Sequence, residues 1–452
     1  MKIKRTMTII TFLSAGVLFL MAFFILYVPM SYSIEGGLGW FEDRTTDRLP
    51  VKSDNSIEAD FGDVDNDGDL DIVVANVRKE ADTLLLNQGD GFFKDESYRL
   101  LITNTEASTD VEFADIDGDG DLDLGIAKSG FRGGGQCRIL LNDGNGIFHD
   151  NTLLRMPVLL ASSRDLDFGD VDGDGDVDIV LANVYVFGSD ASRQNRVFIN
   201  NGYGFFTDET LMPDGSAYRF PVDNASTRSV TLGDVDNDGD LDIIAANRVD
   251  NGFMGEYDGP RNRLWLNYGN GFFADVTEAR MPIDTDSSRD VALCDVDNDG
   301  DLDIYFGNAM GDSSFSGGGQ QNRLYINDGR GYFVNETDMR IPALERLTKS
   351  VDFGDIDNDG DPDIVEANSR HENGHKAPQP GQQDRVLIND GKGFFTDETL
   401  NGSFARLRLP FRIANTYDID LGDVDGDGDL DIFVAERFKQ NRLFINQTIF
   451  PF

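Results

Sequence analysis

The chain has 452 residues, a formal net charge of −43 and 40% apolar residues, with 33 Phe among them. That apolar content can fill a sizeable core, so the acidity does not signify general disorder, and the length admits two or three ordinary domains or one large all-β body. Most of the negative charge sits in seven short loops of five aspartates each, and no basic face remains to release counterions from phosphates, which argues against nucleic acid as a partner.

Lys2, Lys4 and Arg5 precede residues 7–30, a stretch of 24 residues without a charge. As a helix rising about 1.5 Å per residue it reaches roughly 36 Å, enough to cross a hydrocarbon core of about 30 Å. Residues 1–33 are therefore expected to form an N-terminal hydrophobic helix, either an uncleaved membrane anchor or a signal peptide cleaved near Ser31 to Ser33. Both readings place the body, residues 34–452, outside the cytoplasm and secreted or tethered. Only Cys137 and Cys294 are present, so no disulfide framework supports that body, and both read as small buried hydrophobes.

From about residue 36 onward one pattern recurs seven times. An alternating segment such as Ser350 to Gly354 leads into an acidic loop, then an apolar run such as Asp242 to Ala246, a long connection, a segment such as Asn322 to Asn327, and one such as Gly331 to Thr337. Each piece reads as a strand of about 4 to 7 residues bounded by Gly, Asn and Asp turns. Four short strands per repeat with no amphipathic helix between them predict a seven-bladed β-propeller. The last repeat stops at Asn446 without its fourth strand, and the missing strand stands at the other end, where Gly39 to Thr45 matches Gly204 to Thr210. Residues 39–45 should complete the last blade and close the ring, removing an exposed edge.

The acidic loops carry the chemistry. Their aspartates are Asp63, Asp65, Asp67, Asp69 and Asp71; Asp115, Asp117, Asp119, Asp121 and Asp123; Asp170, Asp172, Asp174, Asp176 and Asp178; and Asp234, Asp236, Asp238, Asp240 and Asp242. The last three loops hold Asp295, Asp297, Asp299, Asp301 and Asp303; Asp355, Asp357, Asp359, Asp361 and Asp363; and Asp423, Asp425, Asp427, Asp429 and Asp431. Side-chain oxygens at positions 1, 3, 5 and 9 can converge while position 7 offers its carbonyl and the Gly at position 6 permits a sharp turn. Charged, hard oxygen ligands in a flexible loop suit Ca²⁺, with its 6 to 8 ligands, better than Mg²⁺, and the lack of nitrogen or sulfur ligands disfavours zinc. Up to seven calcium ions are expected, with the position-7 carboxylates spare. Pro362, at position 8 of the sixth loop, should leave the ligands alone.

The run Phe-Gly-Asp-x-Asp-x-Asp-Gly-Asp-x-Asp, at 61–71 and 353–363, resembles the FG-GAP or VCBS repeat family. The resemblance implies seven blades with calcium between the first and second strands, as in the propeller of integrin α chains and in some fungal lectins. Ala114 and Cys294 stand where Gly62, Gly169, Gly233, Gly354 and Gly422 stand in the other loops. The family includes adhesion proteins, lectins and noncatalytic parts of polysaccharide-cleaving enzymes, so it does not by itself fix a function.

With calcium on one face, the long connections open on the other. They include 183–195, 247–262 with Phe253 and Tyr257, 308–322 with Phe315, and 368–384. Just ahead of four consecutive inner strands a cation recurs six residues before the first loop aspartate, as Arg164, Arg228, Arg289 and Lys349. Equivalent positions in a propeller surround the central channel, so these four are candidate ligands for a carboxylate, sulfate or phosphate on a glycan or protein; local pairing with Asp165 and Asp290 is the alternative. A second recurring set, Arg138, Arg196, Arg263, Arg323, Arg385 and Arg442 on the third strands, reads as structural ion pairs with the Asp-x-Thr of the next strand.

His371 to His375 matches H-E-x-x-H, but that motif needs a helix, and here Asn-Gly interrupts it and Pro378 and Pro380 follow. No nucleophile motif occurs, so no catalytic residue is assigned. Two function classes remain: an extracytoplasmic calcium-binding recognition or adhesion module, and a polysaccharide-degrading lyase or glycosidase on the same ring, whose carboxylates need no local pattern.

Overall fold

The computed structural model describes residues 41–78, 80–102, 107–130, 134–159, 161–184, 193–210, 219–223, 225–248, 261–309, 319–369, 382–399 and 408–447. The segment 7–30 lies outside these residues, and none of the described helices is long and apolar enough to cross a membrane. His371, His375, Phe253, Tyr257 and Phe315 also lie outside them.

The described residues form an all-β propeller. Numbering the repeats after their acidic loops, repeat 4 shows the pattern: Thr227–Gly233, Asp242–Asn247, Arg263–Asn267 and Phe273–Asp275 make a four-stranded antiparallel sheet in chain order. Each inner strand packs on those of the repeats before and after it, and Thr416–Gly422 of repeat 7 packs on Asp54–Gly62 of repeat 1, so the circuit closes. Phe41–Asp43 pairs antiparallel with Arg442–Asn446, in the register Phe41↔Asn446, and supplies the fourth strand of repeat 7.

The expectation of a seven-bladed propeller with four strands per blade needs correction. Five stand as separate sheets: four four-stranded ones, and a five-stranded one in which Leu100–Leu101 runs parallel to Phe148–Asp150. The four-stranded units of repeats 7 and 1 are fused into one eight-stranded sheet. The cause is strand length: Asp431–Lys439 and Asp54–Gly62 each run nine residues, and their overhanging ends pair at Asp54↔Lys439 and Asn55↔Arg437.

The second strands are apolar on both faces because each is covered on both sides. Ile243 and Ala245 pack toward repeat 3, whereas Ile244 and Ala246 pack toward repeat 5. The buried apolar residues accordingly form clusters between neighbouring repeats; Trp265, 1% exposed, lies 4.7 Å from the Phe220 ring centre in one of them. At Gly233 the same packing leaves no room for a side chain, since a Cβ would stand 2.5 Å from Leu293 Cδ1 of the next repeat, whereas the equivalent strand ends of repeats 2 and 5 accommodate Ala114 and Cys294. Cys137 and Cys294 are free; Cys137 is buried in one of these clusters as expected, whereas Cys294 is only partly buried against another.

Candidate cation sites and the channel mouth

Each acidic loop is wound around its first aspartate. In repeat 4, Asp234 accepts the backbone N–H groups of Asp238 at 3.0 Å and Gly239 at 2.9 Å, and Asp238 accepts that of Asp240 at 3.1 Å. Gly239 has φ +95°, and the position-6 glycines of the other loops lie at +91° to +94°, a conformation that other side chains adopt at a steric penalty. In repeats 1 to 4, carboxylate oxygens at positions 1, 3 and 9 come within 4.8 Å of one another; in repeat 5 the group is Asp295, Asp297 and Asp299. Each such cluster could hold a metal ion.

The aspartates are not equivalent. Position 9 is a structural acceptor as well as a candidate ligand: buried Asp242 takes the N–H of Val235 at 3.0 Å and of Asn267 at 2.8 Å, and burial pushes its carboxyl up to about 7. Position 3 is held differently. Its Oδ1 is buried without a hydrogen-bond partner in all seven loops, at Asp65, Asp117, Asp172, Asp236, Asp297, Asp357 and Asp425. Seven orphaned carboxylate oxygens facing like charges constitute a demand for a cation.

The other oxygen at position 3 meets an arginine that sequence reasoning missed. The contact recurs in every repeat at 2.9 to 3.9 Å, from Arg408–Asp357 to Arg99–Asp65. Each arginine follows the fourth strand, in four cases at the end of a one-turn helix such as Thr277–Arg280, so the signal was a Thr-x-x-Arg. Arg280 also donates to the carbonyl of Arg330 in the next repeat and lies 4.7 Å from the centre of the exposed Tyr332 ring.

Loops are tied to neighbouring repeats by asparagine. Asn267, fully buried at the end of its third strand, donates to Leu241 O of its own loop at 3.1 Å and to Val171 O of the preceding repeat at 2.7 Å. The bond to the preceding repeat recurs at 2.7 to 2.9 Å around the whole circuit, including Asn87 to Val424 O and Asn446 to Ile356 O. The position-7 carboxylates are not all spare either. Asp121, Asp301, Asp361 and Asp429 accept the position-4 asparagine of the preceding loop at 2.6 to 3.0 Å, whereas loops with Gly at position 4 have no such side chain to offer.

The third-strand arginines pair as expected with the next strand: Arg196 with Asp208 at 3.3 Å, Arg263 with Asp275 at 3.5 Å, Arg385 with Asp397 at 3.0 Å, Arg442 with Asp43 at 3.2 Å, and Arg138 with Asp150. Arg323 departs from the pattern and takes Asp286 at 2.5 Å, because its own next strand carries Asn335 in place of the aspartate.

Arg164, Arg228, Arg289 and Lys349 are brought together in one cavity of about 140 Å³ at the channel mouth. They lie six residues along an extended strand from the acidic loops, roughly 20 Å away. The reason they converge is a β-bulge in every inner strand. The register skips one residue between Ser163 and Asp165, between Thr227 and Ser229, and at the equivalent place in the other five strands. A bulged residue leaves the ladder and its side chain is re-aimed. The seven bulged residues are the four cations together with Ile57, Thr109 and Tyr417, and all seven line the cavity. The preceding residue is always Ser or Thr, and five of these hydroxyls donate to the asparagine ending the second strand, as Ser288 does to Asn308 at 2.7 Å. That hydroxyl was the sequence signal for Ile57, Thr109 and Tyr417.

The carboxylates beside the cations tie neighbouring strands together. Asp165 accepts Val230 N–H at 2.6 Å and Asp290 accepts Val351 N–H at 2.7 Å, each tying its inner strand to the next repeat. Burial first, then repulsion from Asp110 and other channel acids, raises the Asp165 carboxyl; burial raises Asp290 to about 6 and Glu58 well above its ordinary value. Arg164 is lowered to about 10, by burial and then by Arg289 and Arg248. Lys349 Nζ lies 5.3 Å from the Tyr417 ring centre, and the Tyr417 hydroxyl accepts from Arg437 at 2.7 Å.

The family model described as FG-GAP-like repeat matches residues 63–126, 182–245, 252–306 and 314–366, just over half of the chain. No curated protein matches.

Proposed function

The chain belongs to the FG-GAP-like repeat family, and from that membership we propose that it is a calcium-stabilised recognition module which binds an anionic group of a glycan or protein at the channel mouth. The observation that carries this reading is the convergence of all seven bulged residues, four of them cationic, on one cavity. A rigid ring that presents one bulged residue per repeat to a shared cavity is suited to a binding or adhesion module.

For calcium the support is the donor set: clustered hard oxygens, with a buried unpartnered one at position 3 of every loop. Positions 1, 3 and 9 would hold the ion in repeats 1 to 4, and up to seven ions would be bound. At free calcium about tenfold above the dissociation constant each site contributes roughly 1.4 kcal/mol, so seven contribute on the order of 10 kcal/mol. Net stabilities are about 5–15 kcal/mol. Calcium would then decide whether the ring stays folded, the part that disulfides play in other exported proteins. Residues 1–33 would anchor or export the body, placing the mouth outside the cell membrane.

The test is a glycan array with and without chelator, repeated with the double variant Arg228→Glu/Arg289→Glu. Anionic ligands should bind the native protein and not the folded variant; equal binding by both overturns the reading. A second reading, cleavage of a polysaccharide, is favoured by Glu58, which shares the cavity with the cations and whose raised carboxyl could hold a proton for transfer. Release of shortened products from anionic polysaccharides would establish it.

A further inference from the structure

We propose that the mouth cavity takes a single acidic sugar residue, a hexuronate at the end of a glycan chain, with its carboxylate on the cationic side and its hydroxyls on the other. This inference rests on the reading of the mouth as the recognition site and specifies its ligand. The cavity is polarised. Its four cations come from repeats 3 to 6, which are consecutive around the ring, and its other three bulged residues, Ile57, Thr109 and Tyr417, come from repeats 7, 1 and 2 on the opposite side. Glu58 lies beside Ile57, while Asp165, Asp290, Ser229 and Ser350 stand among the cations, with Ser350 Oγ already accepting Ile419 N–H at 3.3 Å. One arc thus suits a negative group, while the other offers the Glu58 carboxyl and the oxygen of Thr109, whose O–H already donates to Ser163 O at 2.8 Å and so is left only to accept.

Hydroxyls decide among anions. Glu58, Asp165 and Asp290 line the same cavity as the cations. A compact dianion such as a phosphate monoester has no hydroxyls for these acids. A uronate brings one charge, and its ring hydroxyls can donate to carboxylates or accept from carboxyls that burial keeps protonated. Size decides how much of a glycan enters. A cavity near 150 Å³ holds benzene, which has about half the heavy atoms of a hexuronate, so about 140 Å³ takes the carboxylate and adjoining ring edge of one sugar and leaves the rest of the chain outside. That geometry selects a terminal or branch residue over the middle of a chain.

The experiment is calorimetric titration of the full calcium-loaded chain with four probes: oligogalacturonate, the same oligomer methyl-esterified, inorganic phosphate, and a phosphoserine peptide. The first should bind, esterification should weaken binding at least tenfold, and the two phosphate probes should bind no better than the ester. Thr109→Val and Glu58→Gln should each weaken oligogalacturonate at least threefold. If a phosphate probe binds tighter than oligogalacturonate and Arg228→Glu/Arg289→Glu abolishes it, the acidic-sugar assignment is overturned and the anion site stands. If none of the four binds, both readings fall. Ligand saturation without any effect of Thr109→Val or Glu58→Gln also overturns the assignment, because the second arc would then play no part.

Discussion

Replacing Asn267 by alanine tests whether the ring is held by its asparagine ties. The amide donates to Val171 O of the preceding repeat at 2.7 Å and to Leu241 O at 3.1 Å, and its oxygen accepts Gly269 N–H at 3.1 Å. The site is fully buried, so water cannot take over without opening the interface. Two or three hydrogen bonds at about 1 kcal/mol each, plus the desolvation penalty of the stranded carbonyls, give a loss of ~3–5 kcal/mol. With an unfolding entropy near 2.1 cal/mol/K per residue and roughly 340 described residues, that loss lowers Tm by about 4–7 °C. Asn267→Asp should be at least as damaging, since it sets a carboxylate against two carbonyls. Differential scanning calorimetry in saturating calcium reads both shifts. The transition should remain single, because a closed ring has no free end from which one repeat can peel. A shift below 1 °C, or a split into two transitions, would refute the role assigned to the tie.

Chelation with EGTA should lower Tm by well over ten degrees; a change under two degrees would leave the loops without a stabilising ion. Arg280→Ala removes an ion pair to Asp236 at 3.2 Å and a ring contact, and should lower stability by about 1–2 kcal/mol, readable as a Tm shift near 2 °C, with Arg280→Lys recovering only part of it. The channel carboxyls of Asp60, Asp110 and Asp418 are raised by burial to about 7, 8 and 7. Groups with folded values above their unfolded ones bind more protons in the native state between about pH 4 and 8, so the stability they contribute is present at low pH and lost as pH rises through that window. Calcium-free protein should therefore melt several degrees higher at pH 5 than at pH 8; a flat or rising profile would contradict the placement of these acids.

What the sequence made legible was whatever repeats locally. The acidic loops, the strand sets, the split last repeat and the four mouth cations all announce themselves as the same residues at the same spacing. The Arg280–Asp236 contact did not, because its two partners stand 44 residues apart and meet only when the fourth strand of a repeat folds back beside its own loop. Ile57, Thr109 and Tyr417 share no chemistry of their own; the Ser or Thr before each marks them, but only the bulge at that point gives the mark a meaning. Asp242 looked like its neighbours in the loop, yet its two backbone acceptor bonds exist only once the third strand lies alongside. The fusion of repeats 7 and 1 depends on strand ends overlapping by two pairs, a matter of length that residue types do not encode.

The skipped register of each inner strand has an evolutionary consequence. A residue outside the hydrogen-bonded ladder is exempt from pairing constraints, so isoleucine, threonine, arginine, lysine and tyrosine all occupy the same place without disturbing the strand. Seven such exempt places around one opening amount to a combinatorial alphabet: ligand preference can be rewritten letter by letter while the scaffold beneath it stays constant, and a randomised library at these seven positions should yield many folded proteins with divergent tastes.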